Sequence, residues 1–539
     1  MVESGHVDTF CTDRLPPPEL WPVRDWTGIP ELSYPERLNC ADVLLDAVLD
    51  KWGDRLVFRF PEGTWTYREL AETSNRIAHV LVDELGIVPG NRVLLRGPNN
   101  PMLAACWFGV LKAGGVVVCT MPLLRERELR FLADKAEIKV ALSDPRIVLE
   151  CEEGFKTRRD GSVREGARVV NFDELDEMMR DKPAAFECCD TAAEDIAIIA
   201  FTSGTTGEGK GTMHSHRDIL AITDCFPRYV LKPSADDLFC GSPPLAFTYA
   251  LGGLLLFPMR FGACSLLLEQ ATPPSLVKAI AEYRPTVCFT APTAYRAMSG
   301  MVAEHDVSSL KKCVSAGETL PLSVYESWLN ATGLKIIDGI GATEMLHIFI
   351  SASGDDIKPG ATGKVVPGYE AKIVDDDGAD CAPGAVGRLA VRGPTGCRYL
   401  DNIPQQKKYV EDGWNLTGDS YRLDEDGYFW YQARTDDMII SGGYNIAGPE
   451  VENVLLEHPA VHECAVIGEP DEERGHVVKA VIVLKPEQSG DDVLKKELQD
   501  FVKARIAPYK YPRRVEFVDA LPRTATGKLQ RYRLRESAT

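Results

Sequence analysis

The fifteen cysteines of this 539-residue chain include no Cys-x-x-Cys pair and no spacing suited to ligating a metal. Zinc-ribbon and redox-motif readings are thereby excluded. The vicinal Cys188-Cys189 is the only cluster, and most of the others stand in apolar surroundings, so they read as reduced core thiols of a cytoplasmic protein. The chain also lacks an uninterrupted apolar run of membrane-spanning length. Its most apolar stretch, Met102 to Leu124, contains Lys112 and the pair Gly114-Gly115, which predicts a core helix followed by a strand. Positive charge is in deficit: Lys and Arg number 60 against 80 Asp and Glu, for a net charge of -20. Such a balance repels nucleic acid and anionic membrane, so neither is an expected partner, and any anionic substrate must be met by a local positive site. The opening residues, with Glu3, His6 and Asp8, have neither the basic nor the apolar region of a signal peptide, which again predicts a cytoplasmic location. No internal repeat is visible.

What is present is length and alternation. At this size with 45% hydrophobic residues, two or three domains are expected. The chain is organised around Thr202-Ser203-Gly204-Thr205-Thr206-Gly207-Glu208-Gly209-Lys210-Gly211, which follows the apolar run Ile196 to Phe201. A buried strand ending in Gly, Ser, Thr and one Lys offers backbone N–H groups, hydroxyls and a positive charge to a polyphosphate. The alternative is a flexible surface loop, which the position directly after a buried strand disfavours. Gly204 to Lys210 also fits the spacing of a P-loop, but that motif requires Ser or Thr after the lysine to ligate Mg²⁺, and Gly211 stands there.

Along the chain, residues 1 to 40 are Pro-rich and are expected to wrap over the first domain without a function of their own. Thr66 and Glu69 form a capping box opening a helix that Gly86 stops; the strand Arg92 to Leu95, a helix around Leu103 to Lys112 and the strand Val116 to Thr120 follow. This alternation predicts a parallel or mixed sheet covered by helices. Glu152 to Glu165 is charged and expected to be an exposed excursion, and His214 to Ile222 reads as a helix. Further strands end at Ser315-Ala316-Gly317-Glu318 and, from Leu334 to Ile340, at Gly341-Ala342-Thr343-Glu344. Three strand ends with small residues and hydroxyls predict one crevice at the carboxyl edges of a sheet. Gly360 to Trp430 reads as a β-rich subdomain, and beyond Arg434-Thr435-Asp436 a compact α+β unit is legible, ending in the loop Pro522 to Lys528.

Taken together these segments resemble the acyl-adenylate-forming superfamily of acyl- and aryl-CoA ligases, luciferases and peptide-synthetase adenylation domains. Four motifs carry the resemblance: Thr202 to Gly211 looks like its phosphate loop, Gly341 to Glu344 its G-x-T-E segment, Thr417-Gly418-Asp419 its ribose motif, and Pro522 to Lys528 its terminal lysine loop. Gly209 departs from the usual Pro before the lysine, and Ile340 from the aromatic residue common before Gly341. Within the superfamily, Asp338-Gly339-Ile340-Gly341-Ala342-Thr343-Glu344-Met345-Leu346-His347-Ile348-Phe349 resembles the benzoate-CoA and 2-aminobenzoate-CoA ligases, and the opening His6 to Pro18 looks more like the 2-aminobenzoate members.

The resemblance implies an α/β protein: a large N-terminal domain, residues 1–435, of mixed sheets covered by helices plus a β-rich subdomain, and a small mobile α+β C-terminal domain, residues 436–539, carrying the catalytic lysine. It implies ATP, Mg²⁺ and coenzyme A as cofactors, an aromatic acid such as 2-aminobenzoate as substrate, and allows a homodimer. By the same resemblance Lys528, Thr343, Glu344 and Lys210 are catalytic, with Glu344 on Mg²⁺. Thr202, Ser203, Gly204, Thr205, Thr206, Gly207, Ala316, Gly317, Glu318, Asp338, Gly339, Thr343, Asp419 and Arg434 hold ATP or AMP. Phe247, Tyr249, Ala316, Gly341, His347 and Ile348 line the acyl pocket, Asp436 is the hinge, and Gly442, Gly443 and Tyr444 line the CoA channel. A carrier-protein-loading enzyme, a luciferase-like oxygenase and a noncatalytic nucleotide-binding protein are the competing readings.

Overall fold

The structure is a computed structural model that describes residues 2–202, 209–441, 444–471, 474–523 and 529–536. Four sheets organise it. The first has six strands in the order Arg168–Asn171, Val140–Ser143, Arg92–Arg96, Val116–Thr120, Ile196–Thr202, Lys210–Ser215; all pairings are parallel except the last. The second has nine strands. Its parallel centre runs Ile336–Gly341, Lys312–Ser315, Val287–Thr290, Leu238–Gly241, Cys264–Leu266 and Leu56–Phe60, with antiparallel strands added at both edges. The middle strands Lys312–Ser315, Val287–Thr290 and Leu238–Gly241 are buried almost throughout, which is why they show no apolar-polar alternation.

The helix Tyr67–His79 opens with the expected capping box, Thr66 accepting from the Glu69 amide while Glu69 accepts from Thr66 N, a device worth about 1 kcal/mol. It packs against the helix Pro101–Lys112, which is buried on nearly every residue and even buries Lys112, satisfied by Asp46 at 2.6 Å and Asn75 at 2.7 Å. All fifteen cysteines are free and none is exposed. Cys240, Cys288 and Cys313 sit in register on three neighbouring strands, and burial raises the thiols of Cys240 and Cys313. They are core residues, as their surroundings in the sequence indicated.

A five-stranded antiparallel sheet, Glu370–Val374, Val386–Arg392, Trp414–Leu423, Val410–Glu411 and Phe429–Arg434, forms the β-rich part. The last sheet joins Tyr444–Ile446, Ile439–Ser441, Gly475–Leu484, Val461–Asp471 and Arg514–Phe517 under the helices Gly448–Leu456 and Asp492–Lys503. It has its own core of Ile439, Ile446, Val451, Leu455, Val466, Ile482 and Leu498. Among the described residues no helix is long and apolar enough to cross a membrane.

Three expectations are corrected. Lys210–Ser215 is a strand pairing back onto Ile196–Thr202, so the helix starts only at His216, capped by Ser215. Glu152 to Glu165 is not wholly exposed: Cys151, Gly154 and Phe155 bury one side of the helix Val148–Lys156, and Arg164 is buried against Asp134. The three small-residue strand ends come from two sheets, Ile196–Thr202 from the first and the other two from the second. The N-terminal segment is also more deeply engaged than a surface wrap. Phe10 lies between the guanidinium groups of Arg92 and Arg14 at 3.9 and 4.0 Å, and Arg24 reaches the fully buried Asp218.

Candidate active site

The strands on either side of the glycine-rich stretch pair with each other. Thr202 pairs with Lys210 and Phe201 with Gly211. Ser203, Gly204, Thr205, Thr206 and Gly207 lie outside the described residues, as do Gly442, Gly443 and Lys528. Asp436 falls in the short turn Thr435–Asp437, and Tyr444 opens the strand Tyr444–Ile446.

The second sheet delivers Thr343 and Glu344 on a three-residue turn, Thr343–Met345, just past the strand Ile336–Gly341. The strand pair and this turn meet. His214, on the returning strand, lies with Nε2 2.7 Å from the Thr343 carbonyl oxygen. A carbonyl only accepts, so Nε2 carries the proton; burial lowers the imidazole to about 4, leaving the ring neutral. Glu344 accepts from the Tyr399 hydroxyl at 2.6 Å. Tyr399 is placed by pairing of its segment to the same returning strand, Met213 N donating to Arg398 O at 2.8 Å and Leu400 N to Gly211 O at 2.9 Å. Beneath them Asp218 receives Arg398 at 2.5 Å and Arg24 at 3.0 Å. Burial pushes this carboxyl up, but the two guanidinium groups outweigh it and hold it below the usual carboxylate range.

Asp419 and Arg434 face each other in register on neighbouring strands, with Nη1 to Oδ1 at 3.1 Å. Gly418, at φ +76°, makes room: a Cβ there would stand 2.8 Å from Arg434 Nη2. Burial raises the Asp419 carboxyl and Arg434 opposes the shift. Asp338 pairs with Ser315 on the adjacent strand and is followed by the buried Gly339, while Ala316, Gly317 and Glu318 form the loop beyond Ser315. Asp338 Oδ1 and Ser315 Oγ are sealed from solvent without a well-formed hydrogen bond, and burial pushes the Asp338 carboxyl up to about 7 against the pull of the Gly339 amide and the nearby Ser315 hydroxyl. Buried polar atoms so poorly paired call for a partner from elsewhere.

Tyr249 donates its hydroxyl to Val314 O at 3.1 Å, two residues before Ala316. The Tyr249 carbonyl accepts from His347 Nε2 at 3.1 Å, and Phe226, Phe257 and Tyr249 surround the imidazole. Burial lowers His347 to about 3, so it is neutral and its Nδ1 is a bare acceptor without a partner. Gly341 backs onto it closely: a Cβ there would lie 2.8 Å from the His347 carbonyl oxygen. Ile348 packs over Gly339, and Phe247 precedes the turn Thr248–Ala250.

Among the described residues no group of three or more His, Cys, Asp or Glu could enclose a metal. Glu344, a single carboxylate beside the Thr343 hydroxyl, fits Mg²⁺ all the same, because that ion is usually held by one or two carboxylates plus substrate phosphates. His214, Tyr399, Arg398 and Arg24 were not singled out from sequence. Their partners lie 55 to 194 positions away, and no local pattern marks them.

A family model described as AMP-binding enzyme matches residues 45–398, and one described as AMP-binding enzyme C-terminal domain matches residues 450–528. The benzoate–CoA ligase of Thauera aromatica is 35% identical over 520 residues, covering 94% of this chain and 98% of the relative. Two solved structures are similar. One, an anthranilate CoA ligase in complex with anthranoyl-AMP, has TM-score 0.88 and 34% identity over 94% of this chain and 99% of the other. The other, a benzoate CoA ligase from Burkholderia xenovorans LB400, has TM-score 0.84 and 31% identity over 92% and 100%.

Proposed function

The chain belongs to the AMP-binding enzyme family, and on that premise we propose that it is an ATP-dependent aryl-acid CoA ligase. It forms an acyl-AMP from ATP and an aromatic carboxylate, with 2-aminobenzoate as the favoured acid, and then the CoA thioester, releasing pyrophosphate and AMP. The observation that carries this reading is the meeting of the strand pair flanking the phosphate loop with the Thr343–Glu344 turn through His214 and Tyr399. The likeness to benzoate and anthranilate CoA ligases supports the aromatic class of acid.

A carboxylate is a poor acyl donor because its leaving group would be oxide. Attack of its oxygen on the α-phosphorus of ATP displaces pyrophosphate and exchanges that leaving group for AMP; the CoA sulfur then attacks the carbonyl and AMP departs. The first step gathers several anions, so positioning and charge neutralisation supply most of the acceleration. Lys528 bridges the carboxylate and the α-phosphate, Thr343 hydrogen-bonds that phosphate, and Glu344 holds Mg²⁺. When bound, the ion neutralises phosphate charge. Thr202 to Lys210, with Ser203, Gly204, Thr205, Thr206 and Gly207 between, hold the β- and γ-phosphates. Asp419 accepts from the ribose hydroxyls, with Arg434 beside it opposing the upward push of burial on its carboxyl. Ala316, Gly317, Glu318, Asp338 and Gly339 frame the adenine, whose amino group is a donor of the kind that Asp338 Oδ1 lacks.

The acid's ring lies among Phe247, Tyr249, Ala316, Gly341, His347 and Ile348. The bare Nδ1 of His347 favours a substrate that brings a donor, as an ortho amino group does. After adenylation the domain 436–539 turns about Asp436, withdraws Lys528 and brings Gly442, Gly443 and Tyr444 to the CoA channel. Fifteen free thiols suit a reducing, cytoplasmic setting. The homodimer allowed by the resemblance is a proposal that light scattering reads directly.

Thioester formation with benzoate, 2-aminobenzoate, 2-hydroxybenzoate and a medium-chain fatty acid tests the substrate class. The highest kcat/KM is expected for 2-aminobenzoate; a fatty acid ahead of every aryl acid would overturn the aryl reading.

A further inference from the structure

Glu344 stands on a turn of only three residues, half-exposed, with a flexible side chain that on its own would sample several rotamers. A carboxylate meant to meet a metal needs its orientation fixed from behind. Tyr399 is the donor that does so, 2.6 Å from Oε1. The phenol is itself immobile. Tyr399 is 1% exposed, its amide donates to Gln406 Oε1 at 2.9 Å, and its ring packs edge-to-face on Tyr409 at 5.9 Å. Gln406 in turn donates to Leu20 O at 2.9 Å, in the N-terminal segment for which the sequence offered no role.

The neighbouring Thr343 is held independently by His214 through its carbonyl. Both arms converge on Asp218. Arg398, adjacent to Tyr399, donates to Asp218 Oδ2 at 2.5 Å, and the amide of Ser215, adjacent to His214, donates to that same oxygen at 2.9 Å. Arg24 completes the group at 3.0 Å from Oδ1, and Glu194 is a second carboxylate shared by Arg24, Arg398 and Arg217. An ionic cluster centred on a fully buried carboxylate resists rearrangement because breaking a pair strands a charge. It is thus a rigid base for two adjacent active-site residues drawn from a different sheet.

We propose that Tyr399 is a positioning residue that aims the Glu344 carboxylate at Mg²⁺, with His214 as its counterpart for Thr343, both anchored on the Asp218 hub that Arg24 of the N-terminal segment completes. The proposal rests on the reading of Glu344 as the metal-holding residue. It is tested on the full-length chain with Tyr399→Phe, which keeps the ring and its packing, and Glu344→Gln.

Two metal readouts apply: the affinity for Mn²⁺·ATP by electron paramagnetic resonance, and the Mg²⁺ concentration giving half-maximal acid-dependent pyrophosphate exchange. Tyr399→Phe is expected to weaken both by about tenfold or more, the usual scale for removing an outer partner of a metal ligand. Thiolysis of supplied acyl-AMP, which uses no metal, reports whether the variant is folded and should persist. Unchanged Mn²⁺ affinity in Tyr399→Phe, with affinity lost in Glu344→Gln, overturns the positioning role alone. Unchanged affinity in Glu344→Gln overturns the metal assignment and the proposal with it.

The second arm has its own pair of variants. His214→Leu should lower the kcat of adenylation without moving the ATP KM, and His214→Gln, which restores a donor near the Nε2 position, should recover it. Equal activity in the two variants would overturn that arm.

Discussion

Gly252 lies against His347: a Cβ built on this glycine would stand 2.4 Å from the imidazole Cδ2 and 2.6 Å from Nε2. No side chain fits there while the ring keeps its 3.1 Å hydrogen bond to the Tyr249 carbonyl. Gly252→Ala is therefore expected to push the imidazole aside and misplace the wall of the acyl pocket. The KM for the aromatic acid should rise on the order of tenfold to a hundredfold, the scale of a misplacement of about 1 Å, with the KM for ATP unchanged. Equal shifts in both constants would place the effect elsewhere.

Asp338 gives a pH dependence. Burial moves its carboxyl from an ordinary value of 3.8 up to about 7. Between those values the folded state binds more protons than the unfolded one, so the destabilisation is absent below about pH 4, grows as the pH rises through the window and is complete above about pH 7. Asp338→Asn removes the charge and keeps the shape. It should stabilise the ligand-free protein at about pH 8, by at most about 4 kcal/mol, and make no difference at about pH 4. A gain of the same size at both values, in thermal unfolding, would contradict the assignment.

Asp419 sits in a buried site with Arg434 3.1 Å away. Asp419→Asn keeps the volume and loses charged acceptance from the ribose. The KM for ATP should rise at least about tenfold, as for loss of hydrogen bonds to a charged group, while the KM for the acid stays put. Steady-state kinetics with each substrate varied in turn separates the two.

The two half-reactions should part company in two variants. Lys528→Ala is expected to reduce adenylation by about two or more orders of magnitude and to spare thiolysis of supplied acyl-AMP. Asp436→Pro, which stiffens the hinge, should do the reverse and stall thioester formation more than adenylation. Equal loss of both half-reactions in either variant would contradict a moving C-terminal domain.

Much of the architecture was legible because it is local. The capping box at Thr66 and Glu69, the apolar runs Val116 to Thr120 and Ile196 to Phe201, and the strand and helix alternation each leave a pattern within a few residues. The ribose pair was legible as two motifs, and their register across the sheet joined them. The error at His214 to Ile222 has a plain cause. Met213, His214 and Ser215 alternate poorly, so the strand they end was hidden inside the apolar start of the next helix, although Ser215 was available as a cap. The hub around Asp218 could not be read at all. Arg24 and Arg398 lie 194 and 180 positions from Asp218, and each alone looks like an ordinary polar residue.

The most direct measurement of the central claim is pyrophosphate release with ATP and Mg²⁺ across benzoate, 2-aminobenzoate, 2-hydroxybenzoate and a medium-chain fatty acid, each with and without CoA. The account predicts that an aryl acid triggers a single burst without CoA and sustained turnover with it, AMP and thioester accumulating together. Binding of ATP with no acid able to trigger release, or release indifferent to CoA, would contradict it.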